Sequence, residues 1–154
     1  MPNVVVALIA VLSFLAQATQ LASSPTVVFV CEHGAAKSLI ASAYFNKLAA
    51  ERGLKARASF RGVTPQDDLS VRTVAGLKAD GLSIPEQKPT AIGDADIAHA
   101  THIFAIACQL PAAAATSGKA ASWDDVPEDQ GYPPMRDAIV RHVNALLDQL
   151  QMGK

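Results

Sequence analysis

Thr26-Val27-Val28-Phe29-Val30 runs directly into Cys31-Glu32-His33-Gly34-Ala35-Ala36-Lys37-Ser38, and this junction decides the fold. A short, fully apolar, β-branched run is the mark of a strand buried on both faces. Behind the glycine-containing loop, Ser38 to Arg52 reads as a helix with Ile40, Ala43, Tyr44 and Leu48 on one face and Gly53 as its C-cap. Strand, short loop and helix form the first half of a βαβ unit, which leads to a parallel sheet covered on both faces. In such sheets ligands bind at the carboxyl ends of the strands. The quoted loop lies there, and a glycine-bearing loop at a helix N-terminus offers N–H groups and partial positive charge to an anion. Cys31 opens this cradle, and the loop amides, Lys37 and the Ser38 hydroxyl all favour its thiolate.

The downstream pattern extends the same architecture. Ala56 to Arg61 alternates as an edge strand would. Ser70 caps a helix through Val71, Val74 and Ala75 that stops at Gly81, and Gly93 to His99 gives a further short helix. His102 to Ala107 is a second buried strand, and a weaker strand ends near Trp123. Met135, Ile139, Val143, Leu146 and Leu150 form the apolar stripe of a C-terminal helix. No repeat or linker divides this region.

Composition narrows the functions. The 154 residues carry 13 Lys and Arg against 14 Asp and Glu, so there is no basic stripe for nucleic acid and no polybasic segment for an anionic membrane. Two cysteines, four histidines and no Cys-x-x-Cys pair argue against a structural metal site or a dense disulfide scaffold, and no cofactor is expected. Gly34-x-x-Lys37-Ser38 invites comparison with a Walker loop. That motif places glycine immediately before the lysine and five residues earlier, where this chain has Ala36 and Cys31.

Met1 to Cys31 contains no charged side chain, and Val4 to Leu15 is a nearly unbroken apolar run. It is shorter than the roughly 20 residues a spanning helix needs, and Ala16-Gln17-Ala18 has the small-x-small form that signal peptidase reads. The reading is a signal peptide over residues 1–18, a linker over 19–25 and one domain over 26–154. Export to a periplasmic or extracellular space follows. The n-region lacks Lys and Arg, which leaves two other readings: an anchor continuing to about Ala22, or a misplaced start codon and a cytoplasmic protein.

From about Thr26 onward the chain resembles the superfamily of low-molecular-weight protein tyrosine phosphatases and thioredoxin-coupled arsenate reductases. Those proteins carry Cys-x5-Arg-Ser/Thr after their first strand, and Cys31 to Ser38 keeps the length, the cysteine, the glycine and the final serine. Ser59-Phe60-Arg61-Gly62, Asp80-Gly81-Leu82-Ser83 and Trp123-Asp124-Asp125-Val126-Pro127 continue the likeness. The resemblance implies a flavodoxin-like, phosphotyrosine phosphatase I type fold: a single three-layer domain with a four-stranded parallel sheet between helices. It implies Cys31 as nucleophile, an anion loop of Glu32, His33, Gly34, Ala35, Ala36, Lys37 and Ser38, and an oxyanion or phosphoester as substrate.

Two departures stand out. Lys37 occupies the place of the family's arginine, and lysine keeps the charge but loses the bidentate fork. The family's acid is an Asp followed directly by Pro, whereas that position here is Pro127. Asp125 keeps the loop character and Glu128 takes the acid's place after a one-residue insertion; spacing does not choose between them. His33 either assists the thiolate or bonds a backbone group, and Glu32 is expected to face away from a phosphate. Arg61 is either a substitute guanidinium or a solvated edge charge. Cys108 follows the strand ending at Ala107, where the reductases carry a resolving cysteine. A Cys31 and Cys108 redox pair, working with an external thiol because residues 109–118 hold no third cysteine, is therefore one alternative, as is a buried, inert Cys108. Three functions follow: a thiolate phosphatase using a cysteinyl-phosphate, a non-catalytic oxyanion-binding domain, and an arsenate reductase-like oxidoreductase. Oligomeric state is left open.

Overall fold

A computed structural model describes residues 23–153. The leader expected over residues 1–18, and most of the linker behind it, lie outside the described residues. The elements run β1 (Thr26–Cys31), α1 (Lys37–Glu51), β2 (Arg57–Gly62), α2 (Val71–Ala79), α3 (Asp94–His99), β3 (His102–Ile106), α4 (Ala112–Ala115), β4 (Ala120–Trp123) and α5 (Tyr132–Met152). The four strands form one sheet in the order β2-β1-β3-β4, every pair parallel. β1 is central, which explains why its sequence is apolar from Val27 to Val30 rather than alternating.

The two-residue period of β1 separates two cores. Val27 and Phe29 point to the larger one, shared with α1, α5 and Leu77 of α2, where Phe29 lies edge-on to Phe45 and against Phe104 and Trp123. Val28 and Val30 point to the smaller one, with Ile103, Ala114 of α4 and Ile97 of α3. The result is the three-layer α/β arrangement that the sequence predicts.

The helices differ in detail from the expected faces. In α1 the buried residues include Leu39, Ile40, Ala41, Ser42, Phe45 and Ala49, whereas Ala43, Tyr44 and Leu48 only flank the core. This helix is wedged between the sheet and α5, so its buried arc is wider than an amphipathic stripe and takes small residues where α5 approaches. Val71, expected on the apolar face of α2, is exposed; Thr73 and Leu77 are the buried residues. Leu150 is partly buried at the end of an α5 stripe that includes Leu147. The single turn α4 follows Pro111 and has no counterpart in the sequence pattern.

The outer edge of β2 is closed by side chain and backbone. Asn46 of α1 donates from Nδ2 to the Ala58 carbonyl at 3.0 Å and accepts from the Ala58 N–H at 2.8 Å. Farther along, Gly62 donates to the Thr90 carbonyl at 2.9 Å and accepts from the Ile92 N–H at 3.1 Å. An edge that would otherwise template another strand is thereby occupied.

Candidate active site

The loop between β1 and α1 is shaped by where its carbonyls go. Those of Cys31, Glu32, His33 and Ala35 accept from the N–H groups of Val63, Thr64, Gln66 and Ser70 at 3.0, 2.7, 3.2 and 3.0 Å. These bonds fasten the loop to the segment after β2. Among the described residues the N–H groups of Gly34, Ala35 and Ala36 have no acceptor. Donors left free at the start of a helix suit a bound anion.

Two glycines allow this packing. Gly34 has φ +61°, and a Cβ there would come within 2.8 Å of the Gly62 nitrogen, while a Cβ on Gly62 would come within 2.8 Å of the Gly34 nitrogen. Ala107, at the end of β3, also takes a left-handed conformation with φ 47°, which is uncommon without glycine. Its N–H is held by the Trp123 carbonyl at 3.0 Å.

A cavity of about 480 Å³ opens above the loop, lined by Cys31, Glu32, His33, Lys37 and Glu128 among others. The Cys31 Sγ lies 3.1 Å from Ser38 Oγ and 3.5 Å from the Ser38 backbone nitrogen. Lys37 is 8% exposed, and its Nζ forms an ion pair with the Glu128 carboxylate, which reaches it from the loop between β4 and α5.

The other carboxylate weighed from sequence lies elsewhere. Asp125 accepts from His142 Nε2 at 2.6 Å, and this bond holds its carboxyl below the usual range. His142 in turn stacks on Trp123, with centroids 4.7 Å apart and planes at 11°. His33 sits on the rim and donates from Nδ1 to the Thr64 carbonyl at 3.2 Å, the backbone role weighed from sequence. Glu32 lines the cavity rather than standing clear of it. Arg61 is neither a substitute guanidinium nor a solvated charge: Asp96 takes it through Nε at 2.9 Å and Nη2 at 2.7 Å.

Cys108 is half-buried, and its thiol donates to the Val30 carbonyl at 3.4 Å. Burial, reinforced by the neighbouring Cys31, pushes it up to about 11. Both cysteines are free thiols. Gln66 and Ala107 line the cavity without being marked by the sequence; Gln66 carries no motif, and a left-handed alanine leaves no compositional trace. Ser70, read from sequence only as a helix cap, serves both places: its hydroxyl accepts from the Thr73 N–H at 3.3 Å, and it lines the cavity. Among the described residues no group of three or more His, Cys, Asp or Glu side chains is arranged to hold a metal.

A cysteine at a strand end, a loop of free amides and a buried cation beside it define a thiol-bearing oxyanion site on a parallel α/β sheet. The sequence profile of the low molecular weight phosphotyrosine protein phosphatases matches residues 26–122, and the chain belongs to that family. No curated protein matches it by sequence. Among solved structures it is similar to YfkJ from Bacillus subtilis, with a TM-score of 0.74 and 21% identity over 86% of this chain and 98% of that one. A protein tyrosine phosphatase from Entamoeba histolytica gives 0.72 and 18% over 85% and 98% of the two chains. A thioredoxin-dependent arsenate reductase from Corynebacterium glutamicum gives 0.69 and 21% over 88% and 66%. Family and fold together support a cysteine-dependent role of the phosphatase or reductase kind, acting on an oxyanion or phosphoester.

Proposed function

We propose that the protein is a thiolate phosphatase in which Cys31 is the nucleophile and Glu128 the proton donor. The observation that carries this reading is the convergence on one cavity of Cys31, the free loop amides, Lys37 and a carboxylate from a distant loop. In the first step the Cys31 sulfur attacks phosphorus, an S–P bond forms, the bond to the leaving oxygen breaks, and protonated Glu128 gives that oxygen its proton. In the second, water attacks the cysteinyl-phosphate, its proton passes to the Glu128 carboxylate, and the thiolate departs with the S–P electron pair. The loop amides and Lys37 balance charge on the phosphoryl oxygens throughout. A cysteine-to-serine variant of the YwlE arginine phosphatase whose active-site serine is phosphorylated supports the covalent step by analogy.

Glu128 is favoured over Asp125 because Glu128 lines the cavity while Asp125 is bonded to His142 on α5. The arsenate reductase alternative draws on Cys108, but that thiol is bonded to a β1 carbonyl and disfavoured as a thiolate. The test is hydrolysis of an aryl phosphate by the full, reduced chain. Activity that disappears in Cys31→Ser and survives in Cys108→Ala supports the phosphatase. Activity indifferent to Cys31→Ser, or no turnover in either the native chain or Lys37→Arg, overturns it.

A further inference from the structure

Glu128 has a second consequence. Lys37 is the cation of the anion loop, it is almost entirely covered, and its ammonium is already taken by an internal carboxylate. A carboxylate seated on that ammonium occupies the charge an incoming oxyanion needs. The carboxylate that faces the cavity is likewise engaged by the Lys37 ammonium. With the pair formed, cation and carboxylate serve each other rather than a substrate.

The loop that brings Glu128 in is a strap anchored at both ends. Trp123 and Val126 are buried at one end and Tyr132 at the other, while Glu128 itself is more than half exposed as a side chain. Asp125 is fixed to α5 through His142. Gly131, immediately before α5, has φ +86°, a conformation that glycine enters and leaves without steric cost. The stretch from Pro127 to Gln130 lies between these fixed points.

We infer that Glu128 is an intramolecular competitor for the anion site: the Lys37 pair holds the strap closed, and a tetrahedral oxyanion opens it by displacing the carboxylate from Lys37. This rests on the phosphatase reading for its place in the cycle, but the competition itself is a binding property. A site that must first be vacated binds with its affinity reduced by the closed fraction.

The experiment is calorimetric titration of the full, reduced chain with inorganic phosphate. Glu128→Gln, which keeps the shape and removes the charge, is expected to bind phosphate at least about tenfold more tightly than the native chain. Asp129→Asn, the same charge change one residue along, is expected to stay within about twofold, as a screened surface charge should. The gain from Glu128→Gln is expected to vanish in a Lys37→Gln background, because the competition runs through that ammonium. Unchanged or weaker binding by Glu128→Gln, an equal gain from Asp129→Asn, or a gain that persists without Lys37 overturns the inference. Binding of phosphate does not require turnover, so loss of the phosphatase reading would show separately, as absent hydrolysis alongside an intact affinity gain.

Discussion

Gly34 and Gly62 meet backbone to backbone, each excluding a Cβ from the other at 2.8 Å. Gly62 ends β2 and Gly34 is the turning residue of the anion loop, so the loop's position is set by the neighbouring strand. Gly62→Ala is expected to displace the loop backbone, cost about 1–3 kcal/mol in urea unfolding, and weaken phosphate binding. Gly34→Ala adds a left-handed backbone to the same clash and is expected to be the more damaging of the two in both measurements.

Ser38 bonds the Cys31 sulfur through hydroxyl and backbone N–H. Ser38→Ala removes the hydroxyl alone. Its kcat on an aryl phosphate should fall by about ten- to a hundredfold, with the cysteine still present and the fold intact. A change smaller than about twofold would show that the hydroxyl is only a helix-start contact.

The Cys108 thiol is expected to declare its environment by pH. Cys108 is pushed up to about 11 by burial and stays protonated well into alkaline solution. Since the thiolate is the nucleophile, iodoacetamide labelling of Cys108 followed by mass spectrometry should be slow at neutral pH and accelerate as pH approaches that value. Rapid neutral labelling of Cys108 would favour a redox role for it.

Glu128→Gln and Asp125→Asn are expected to differ in kind. Without its proton donor the enzyme should depend steeply on the leaving group, losing most activity on alkyl phosphates and least on activated aryl phosphates. Asp125→Asn should retain the native leaving-group dependence, because its carboxylate belongs to His142. The measurement is a series of phosphate esters of graded leaving-group acidity.

Asp80 ties α1, α2 and α5 together, accepting from Tyr44 at 2.6 Å, Tyr132 at 2.7 Å and Arg136 at 3.1 Å. The Tyr44 bond, then those from Tyr132 and Arg136, hold its carboxyl below the ordinary range. A depressed carboxyl contributes stability above its unfolded value of about 3.9 and loses it as pH falls through the folded one. Resistance to urea should therefore fall below about pH 4, and Asp80→Asn should make that acid-side slope shallower while costing about 1–3 kcal/mol at neutral pH.

The parallel sheet and its layers are legible in the sequence because β1 is apolar from Val27 onward and short apolar runs alternate with helical stretches. The face of α1 is not, because the helix is covered by the sheet and by α5 together, and a widened arc has no clean period. Cys31, Lys37 and Ser38 stand out because they are local to one loop. Partners such as Lys37 with Glu128, Asp125 with His142 and Arg61 with Asp96 are set by how distant segments dock. A sequence pattern of short range holds no record of those meetings.

The ring stack of Trp123 on His142 gives the molecule an optical signal of its own. This tryptophan is the one in the chain, and it is buried at the base of the segment that carries Glu128. Its indole emission senses the imidazole lying flat against it, so release of that anchor from α5 reads out as a change in intrinsic fluorescence. Undocking of that anchor from α5 in denaturant thus becomes measurable in real time without a dye or a label.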